Sequence, residues 1–244
     1  MIKIYALLAV MMFTSTTGYS LISMRKWVSQ CRNATGEAKK TYDVIQRSVG
    51  FAFDCNTTYL RLISKTSLTL ERKNISNISP LAGLTNLKKL DLLSNQVSDL
   101  KPLVGLKNLK ELGLIGNNVS DLSPLTALVN LESLHLSSNH IYDLTPLSKL
   151  INQRFLSLGD NKISDLAPLR NLSNLLMLTA DYNQIQDISP LAGLSQLNTL
   201  VLHHNRITDF TLLPPKIKFS DFDFMDNPAT GTSRWFDPHP YWTR

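Results

Sequence analysis

Residues 87–130 read LKKLDLLSNQVSDLKPLVGLKN followed by LKELGLIGNNVSDLSPLTALVN, two blocks of 22 residues in which leucine, asparagine, aspartate and proline recur at the same positions. The same step of 22 residues aligns asparagines along most of the chain. They are Asn95, Asn117, Asn139, Asn161, Asn183, Asn205 and Asn227. A fixed period over many blocks indicates a stacked repeat architecture rather than one enclosed core.

The repeating unit, written once, is LxxLxLxxNxIxDLxPLxxLxN. It begins at Lys65, Leu87, Leu109, Leu131, Gln153, Leu175 and Leu197, with a degenerate eighth copy at Phe219. Leucines that alternate with other residues in the LxL part predict a short strand with one buried face. The asparagine is predicted to satisfy backbone groups between adjacent coils, and the aspartate to accept backbone N–H groups in the following turn. The proline suits the start of a short helical return, because its φ is already fixed.

These blocks are leucine-rich repeats, and they resemble the 22-residue repeats of bacterial internalin-type proteins over about two thirds of the chain. The resemblance implies an α/β solenoid, curved, with a parallel β-sheet on its concave face and short helical or 3-10 segments on its convex face. It also implies binding of another protein rather than catalysis. The chain departs from the internalin pattern in its N-terminal segment with a cysteine pair, and we expect no surface-anchoring signal or immunoglobulin-like domain after the repeats.

The sequence predicts four segments, defined by the repeats and by what lies on either side of them. They are a signal peptide (1–20), a helical N-terminal cap with a cysteine pair (21–64), the leucine-rich repeats (65–228) and an aromatic tail (229–244). Lys3 precedes an apolar run from Ile4 to Phe13, the layout of a secretory signal peptide with cleavage near Gly18 to Ser20. A buried helix and an uncleaved anchor are the alternatives. We therefore expect a secreted, periplasmic or cell-envelope protein.

Apolar residues at helical spacing between Glu37 and Val49 predict a helix that covers the first coil. The two cysteines, Cys31 and Cys55, bracket this helix, and an exported chain meets oxidising conditions. A disulfide between them would close a loop of 23 residues and stabilise the cap by about 3 kcal/mol on the chain-entropy model. Two buried free thiols and lipid attachment at Cys31 are the other interpretations.

The net charge of +6 is concentrated at the N-terminal end. Residues 1–73 hold eleven Lys or Arg against four Asp or Glu, whereas the rest of the chain holds fourteen basic and fifteen acidic residues. The basic segment carries no motif that reads nucleic acid, which favours a solvated basic cap over nucleic-acid binding.

The C-terminal end replaces leucines with larger side chains. Phe219, Phe222 and Phe224 stand in the eighth copy, where they can close a core that has no next coil. The stretch TSRWFDPHPYWTR follows; we expect it to fold back as a lid, with a free peptide ligand as the alternative.

Binding specificity can vary at the strand positions that point away from the core. Leu93 and Ile115 share one such position in adjacent coils, and Phe155 and Met177 share another, which predicts two exposed apolar patches. Phe155 and Met177, together with Tyr182, are the predicted anchors. The full predicted partner-binding set on the concave face is Leu93, Ile115, His135, Phe155, Met177, Asp181, Tyr182, Val201 and His203. The alternative is that scattered exposed apolar residues are ordinary and that the contact face lies elsewhere.

Catalysis is not expected, because the sequence contains no HExxH, no phosphate-binding glycine loop and no GxSxG. Asp181 and His203 share a column in adjacent coils, so a weak surface metal site is the alternative. The neighbours His203 and His204 point to opposite faces of a strand unless the chain is already turning.

We expect a scaffold that binds a protein or peptide, with no cofactor, metal, nucleic acid or small-molecule substrate. Membrane association would require an uncleaved signal or surface attachment. A structural cell-envelope protein and a metal-dependent enzyme are the alternative functions.

Overall fold

The repeats form a parallel sheet in the computed structural model, which describes residues 17–50, 54–214, 216–217, 222–223 and 225–228. The strands are β1 (Ser67–Thr69), β2 (Lys89–Asp91), β3 (Glu111–Gly113), β4 (Ser133–His135), β5 (Phe155–Ser157), β6 (Met177–Thr179), β7 (Thr199–Val201) and β8 (Phe222–Asp223). They pair in chain order, and Leu112 of β3 lies opposite Leu134 of β4, 22 residues later. The predicted α/β leucine-rich repeat solenoid is confirmed.

Short 3-10 helices carry the chain back along the side opposite the sheet. They are Ser79–Leu81, Lys101–Leu103, Ser123–Ala127, Thr145–Lys149, Ala167–Leu169 and Ser189–Leu191. The repeat proline is the second residue of each, as Pro146 is. The preceding aspartate accepts a hydrogen bond from the first helical N–H, as Asp143 Oδ1 does from Thr145 at 2.8 Å. Asn77 takes this role in the first coil, where Ser79 N–H donates to its Oδ1 at 2.9 Å.

The core is a continuous column of leucines between the sheet and the helices. The central strand leucines Leu90, Leu112 and Leu134 are fully buried, and so are Leu103 and Leu125 from the helical side. Each coil therefore buries its leucines against the coils before and after it, and stability is a sum over neighbouring interfaces. Truncation of one core leucine, such as Leu134→Ala, should cost about 2–5 kcal/mol.

An asparagine ladder joins each coil to the preceding one. Asn139 Nδ2 donates to the carbonyl of Leu136 in its own coil at 3.0 Å and to that of Leu114 in the preceding coil at 2.8 Å. Its Oδ1 accepts the N–H of Val119, also in the preceding coil, at 2.9 Å. The same side-chain contacts to the preceding coil recur at Asn95, Asn117, Asn161, Asn183, Asn205 and Asn227. Buried backbone groups at the coil boundaries are thereby hydrogen-bonded.

A second amide row runs along the edge where the strands begin. It consists of Asn86, Asn108, Asn130, Asn152 and Asn174, and each Nδ2 donates to the carbonyl 23 residues earlier. For example, Asn130 Nδ2 lies 2.8 Å from the Lys107 oxygen. The repeat unit ends with this asparagine, but the sequence pattern alone gave it no role.

In the described residues before the first strand, the N-terminal cap consists of three helices, α1 (Thr17–Arg32), α2 (Gly36–Ser48) and α3 (Cys55–Leu62). The predicted helix between Glu37 and Val49 corresponds to α2. A disulfide between Cys31 and Cys55 joins the end of α1 to the start of α3. The cross-link therefore encloses α2 within one covalent loop.

Trp27 of α1 attaches the cap to the first coil. Its indole is 3% exposed, and Nε1 donates to the carbonyl of Pro80 at 2.8 Å. Tyr42 of α2 packs edge-on against the indole with a centroid distance of 4.9 Å, and burial raises the pKa of Tyr42 to about 12. An aromatic cluster thus covers the apolar end that the first coil would otherwise expose.

Parts of the predicted terminal segments lie outside the described residues. This applies to residues 1–16 of the predicted signal peptide, to Phe219 and Phe224, and to the tail 229–244. Helix α1 includes the predicted cleavage region, residues 18–20. Within the described ranges, no helix has the length and apolar character needed to cross a bilayer.

Candidate functional site

The central apolar pair of the predicted site lies on adjacent strands. Phe155 and Met177 are direct register partners in β5 and β6. Met177 is 36% exposed, whereas Phe155 is half-buried, and the guanidinium carbon of Arg154 lies 5.5 Å from its ring centroid. Met177 therefore supplies the exposed apolar surface of this pair, and Arg154 lies over part of the phenyl ring.

Leu93 and Ile115 lie on neighbouring coils, which are joined here by a hydrogen bond from Ser94 N–H to the Ile115 carbonyl at 2.8 Å. Both side chains are half-buried rather than fully exposed. Parallel strands are only about 4.8 Å apart, so side chains in one column shield each other from water. This N-terminal pair presents less apolar surface than the sequence pattern suggests.

His135 lies among serines at the centre of the concave face. Its Nε2 is 2.8 Å from Ser133 Oγ, and its Nδ1 is 3.3 Å from Ser157 Oγ. The ring is thereby held between hydroxyl groups of its own and the next coil. His140 is exposed beyond the turn. His135 and His140 are therefore close in sequence but lie on different surfaces.

A cluster of aromatic and acidic side chains lies at the C-terminal end of the concave face. We call it the Tyr182 cluster, and it consists of Asp181, Tyr182, His203, His204 and Asp226. Tyr182 is 51% exposed; its ring stacks on His204 at 4.1 Å and meets His203 edge-on at 5.3 Å. His203 Nε2 lies 3.8 Å from Asp181 Oδ2, and His204 Nε2 lies 3.2 Å from Asp226 Oδ2. Two of its members, His204 and Asp226, were not predicted as site residues.

A left-handed backbone explains why both adjacent histidines join this cluster. The residue directly before the ladder position has a positive φ throughout the solenoid, at Arg72, Ser94, Gly116, Ser138, Asp160, Tyr182, His204 and Asp226. The chain therefore turns immediately after His203, and His204, with φ +54°, lies beside His203 instead of on the opposite face. Non-glycine residues rarely adopt this conformation. The repeated turn, rather than the preference of each residue, therefore determines the direction of the side chains in this column.

Ion pairs between coils occupy the N-terminal half of the same face and its edge. Lys89 Nζ is 2.6 Å from Glu111 Oε1, and Lys110 Nζ is 2.6 Å from Glu132 Oε1. The hydrogen bond from Lys110 lowers the pKa of Glu132, and the hydrogen bond to Glu111 raises the pKa of Lys89. Exposed pairs of this kind contribute little to stability.

A groove of about 470 Å³ runs beside the second amide row. Its lining includes Lys110, Glu132 and Arg154 together with amides of that row and Leu176. Leu176 is the chain neighbour of Met177, so the groove adjoins the Phe155 and Met177 pair at the edge of the sheet. In the part of the chain that the structure describes, no group of three or more His, Cys, Asp or Glu side chains is arranged to hold a metal ion.

A protein-family model that describes two consecutive leucine-rich repeats matches residues 107–152 and again residues 173–215. The crystal structure of internalin C2 from Listeria monocytogenes is 30% identical with a TM-score of 0.64, and the match covers 76% of this chain and 91% of that one. The chain belongs to the internalin-type leucine-rich repeat family. A search of curated proteins gave no match.

Two further structures extend the comparison of this internalin-type chain. Internalin F from Listeria monocytogenes is 28% identical with a TM-score of 0.60, and the match covers 77% of this chain and 62% of that one. A leucine-rich repeat protein from Leptospira interrogans is 26% identical with a TM-score of 0.64, and the match covers 70% of this chain and 45% of that one. Leucine-rich repeat folds of this type generally serve as protein-interaction scaffolds, and the matches indicate no catalytic family.

Proposed function

We propose that the chain is an exported, non-catalytic protein that binds another protein through its concave face. The observation that carries this proposal is the exposure of Met177 and Tyr182 on a sheet whose core is fixed by stacked leucines and hydrogen-bonded asparagines. Exposed aromatic and methionine side chains are enriched at protein interfaces. A preformed surface also loses little conformational freedom on binding, which favours affinity.

Export is supported by the cysteine pairing. The Cys31–Cys55 disulfide is the kind of cross-link that persists in oxidising compartments, and the N-terminal residues have the layout of a secretory signal. Intact mass of the protein from its native cell, with thiol alkylation before and after reduction, tests both features. We expect a chain that begins just after the predicted cleavage region, Gly18 to Ser20, and that is alkylated only after reduction. A full-length chain with two reactive thiols would contradict export.

The concave site is tested with the double variant Phe155→Asp and Met177→Asp. Each substitution replaces one apolar side chain of the pair with a carboxylate and leaves the buried leucines of the same strands unchanged. The immobilised wild-type protein is used to recover a partner from extracellular and envelope fractions. We expect the double variant to fail to recover this partner, while its thermal unfolding midpoint stays nearly unchanged.

The matched control is Tyr142→Asp with Ile151→Asp, two substitutions at side chains that are 66% and 53% exposed outside the concave strand columns. This control variant should recover the partner as the wild-type protein does. If the concave double variant also retains the partner at wild-type affinity, the concave face is not the contact surface.

A further inference from the structure

The Tyr182 cluster contains an aromatic surface that is both exposed and held in place. Tyr182 is 51% exposed, yet His204 stacks on its ring at an interplanar angle of 19° and His203 meets the ring at 85°. The two imidazoles are themselves in edge contact at 5.3 Å. A ring that is supported in this way keeps its orientation when a partner arrives, so it can act as a preformed contact.

Carboxylates flank this aromatic surface. Asp181 and Asp226 belong to the cluster, and Asp160 precedes Tyr182 in the same left-handed column. The ion-pair contacts of Asp181 and Asp226 within the described residues are with imidazoles, at 3.8 Å from His203 Nε2 and 3.2 Å from His204 Nε2. The cluster therefore combines an exposed tyrosine side chain with neighbouring carboxylate groups.

Gly159 shows that the position of the Asp181 carboxylate depends on the residue beneath it. A Cβ on Gly159 would lie 2.5 Å from Asp181 Oδ1 and 2.9 Å from Oδ2, closer than real Cβ contacts allow. Gly159 has no positive φ, so its backbone conformation does not call for glycine. The missing side chain instead leaves space for the carboxylate over the neighbouring coil, so an alanine at this position would displace the Asp181 carboxylate.

We propose that the Tyr182 cluster receives an arginine side chain of the partner protein. A guanidinium is planar, so it can stack on the Tyr182 ring while its N–H groups donate to the Asp181 carboxylate. This inference rests on the proposed function for its biological context, because it specifies part of the partner that the concave face binds.

The arginine site can be tested without the partner by an NMR titration of the whole protein with N-acetyl-arginine amide. N-acetyl-norleucine amide, which has a similar aliphatic stem and no charge, is the control ligand. We expect saturable shifts of the His203, His204 and Tyr182 ring signals with the arginine compound near neutral pH. The norleucine compound should leave these signals unchanged.

Variants assign the roles of the individual residues. Asp181→Asn should weaken arginine binding about twofold to fivefold, the range for an exposed ion pair, and Gly159→Ala should weaken it similarly although the carboxylate is still present. Tyr182→Leu should abolish the ring-specific shifts, whereas Tyr142→Leu, at an exposed tyrosine outside the cluster, should leave binding intact.

Two outcomes would overturn the arginine site: absence of saturable shifts in the wild-type protein, or equal binding by wild type and Asp181→Asn. Neither outcome would affect the concave-face test with the Phe155 and Met177 variants. Conversely, retention of the partner by those variants would leave the titration result unchanged.

Discussion

At the residue scale, the repeat predicts which residues align between coils, but it does not predict all the contacts that a side chain makes. His204 is an example. The step of 22 residues placed Asp181 and His203 in one column, and the structure brings them to 3.8 Å. The contact between His203 and His204 depends on a left-handed backbone at a histidine, which residue preferences oppose. That conformation becomes visible only when the repeating turn is seen in three dimensions.

The exposure of Phe155 likewise depends on something that the pattern does not contain. The sequence correctly places the residue on the outward side of its strand, because its neighbour Leu156 is buried. The partial cover by Arg154 depends on the path of a long flexible side chain. Column positions are therefore predictable from the repeat, whereas the exposed area of each residue is not.

Gln153 occupies a position where the other full copies after the first have leucine, and it is fully buried. Its Nε2 donates to the Leu131 carbonyl at 3.0 Å, but its Oε1 has no hydrogen-bond partner within the described residues. Gln153→Leu removes this buried polar atom at similar side-chain size. We expect the free energy of unfolding to rise by about 1–2 kcal/mol, measured by urea denaturation.

The reverse change at the equivalent position of the preceding coil is the control for this prediction. Leu131→Gln buries a new amide at the equivalent position of its own coil and should lower the free energy of unfolding. If Gln153→Leu is destabilising, the hydrogen bond from Nε2 outweighs the cost of the buried carbonyl oxygen.

At the scale of elements, the 3-10 helices begin where the sequence predicted because their start is determined locally. An aspartate that accepts the N–H two residues later precedes a proline with a fixed φ. Helix α2 was likewise predictable from apolar residues at helical spacing. Helices α1 and α3 were not singled out, although Asp54 caps α3 by accepting the N–H groups of Asn56 and Thr57. The eight residues of α3 are too few for a clear periodic pattern.

The aspartate turns predict a specific loss of stability in acid. Hydrogen bonds from the residue two positions later lower the pKa of Asp121, Asp143 and Asp209 below the ordinary value of 3.8. A carboxyl group with a lower pKa in the folded chain stabilises the fold above its ordinary pKa. That contribution is lost as the pH falls below about 4 toward the folded value. Thermal unfolding midpoints should therefore drop across this range.

The triple variant Asp121→Asn, Asp143→Asn and Asp209→Asn isolates this effect. Asparagine can make the same turn without titrating, as Asn77 does in the first coil. We expect the variant to fold and to lose less stability than the wild type between pH 5 and 3, a range set by the ordinary aspartate pKa of about 3.9. An unchanged acid dependence would mean that other carboxyl groups dominate it.

At the scale of the whole molecule, the cap and the solenoid are coupled through the first coil. Trp27 contacts Pro80 through a hydrogen bond, and the disulfide restrains the helix that carries Trp27. Because each coil contacts mainly its neighbours, damage at the cap should remain local. The solenoid was predictable as a whole because its period is uninterrupted, whereas the three-helix arrangement of the cap has no repeat to reveal it.

The variant Cys31→Ser with Cys55→Ser tests this local coupling. Loss of the cross-link should destabilise the capped end by about 3 kcal/mol, the value for a loop of this size on the chain-entropy model. We expect faster hydrogen exchange at the amides of Leu70 and Arg72, which pair with the next coil, and little change at Ala180. Equal acceleration at all these amides would show that the solenoid unfolds as one unit.

The asparagine ladder has a direction, and this direction has a consequence for synthesis on the ribosome. Asn95 hydrogen-bonds the N–H of Ile75 and the carbonyl of Leu70, and Asn227 does the same for Ile207 and Leu202. Each coil of a nascent chain is thus completed by residues translated about 20 positions later. An emerging protein always carries one unfinished coil at its growing end, and a stalled chain exposes that coil to chaperones and proteases.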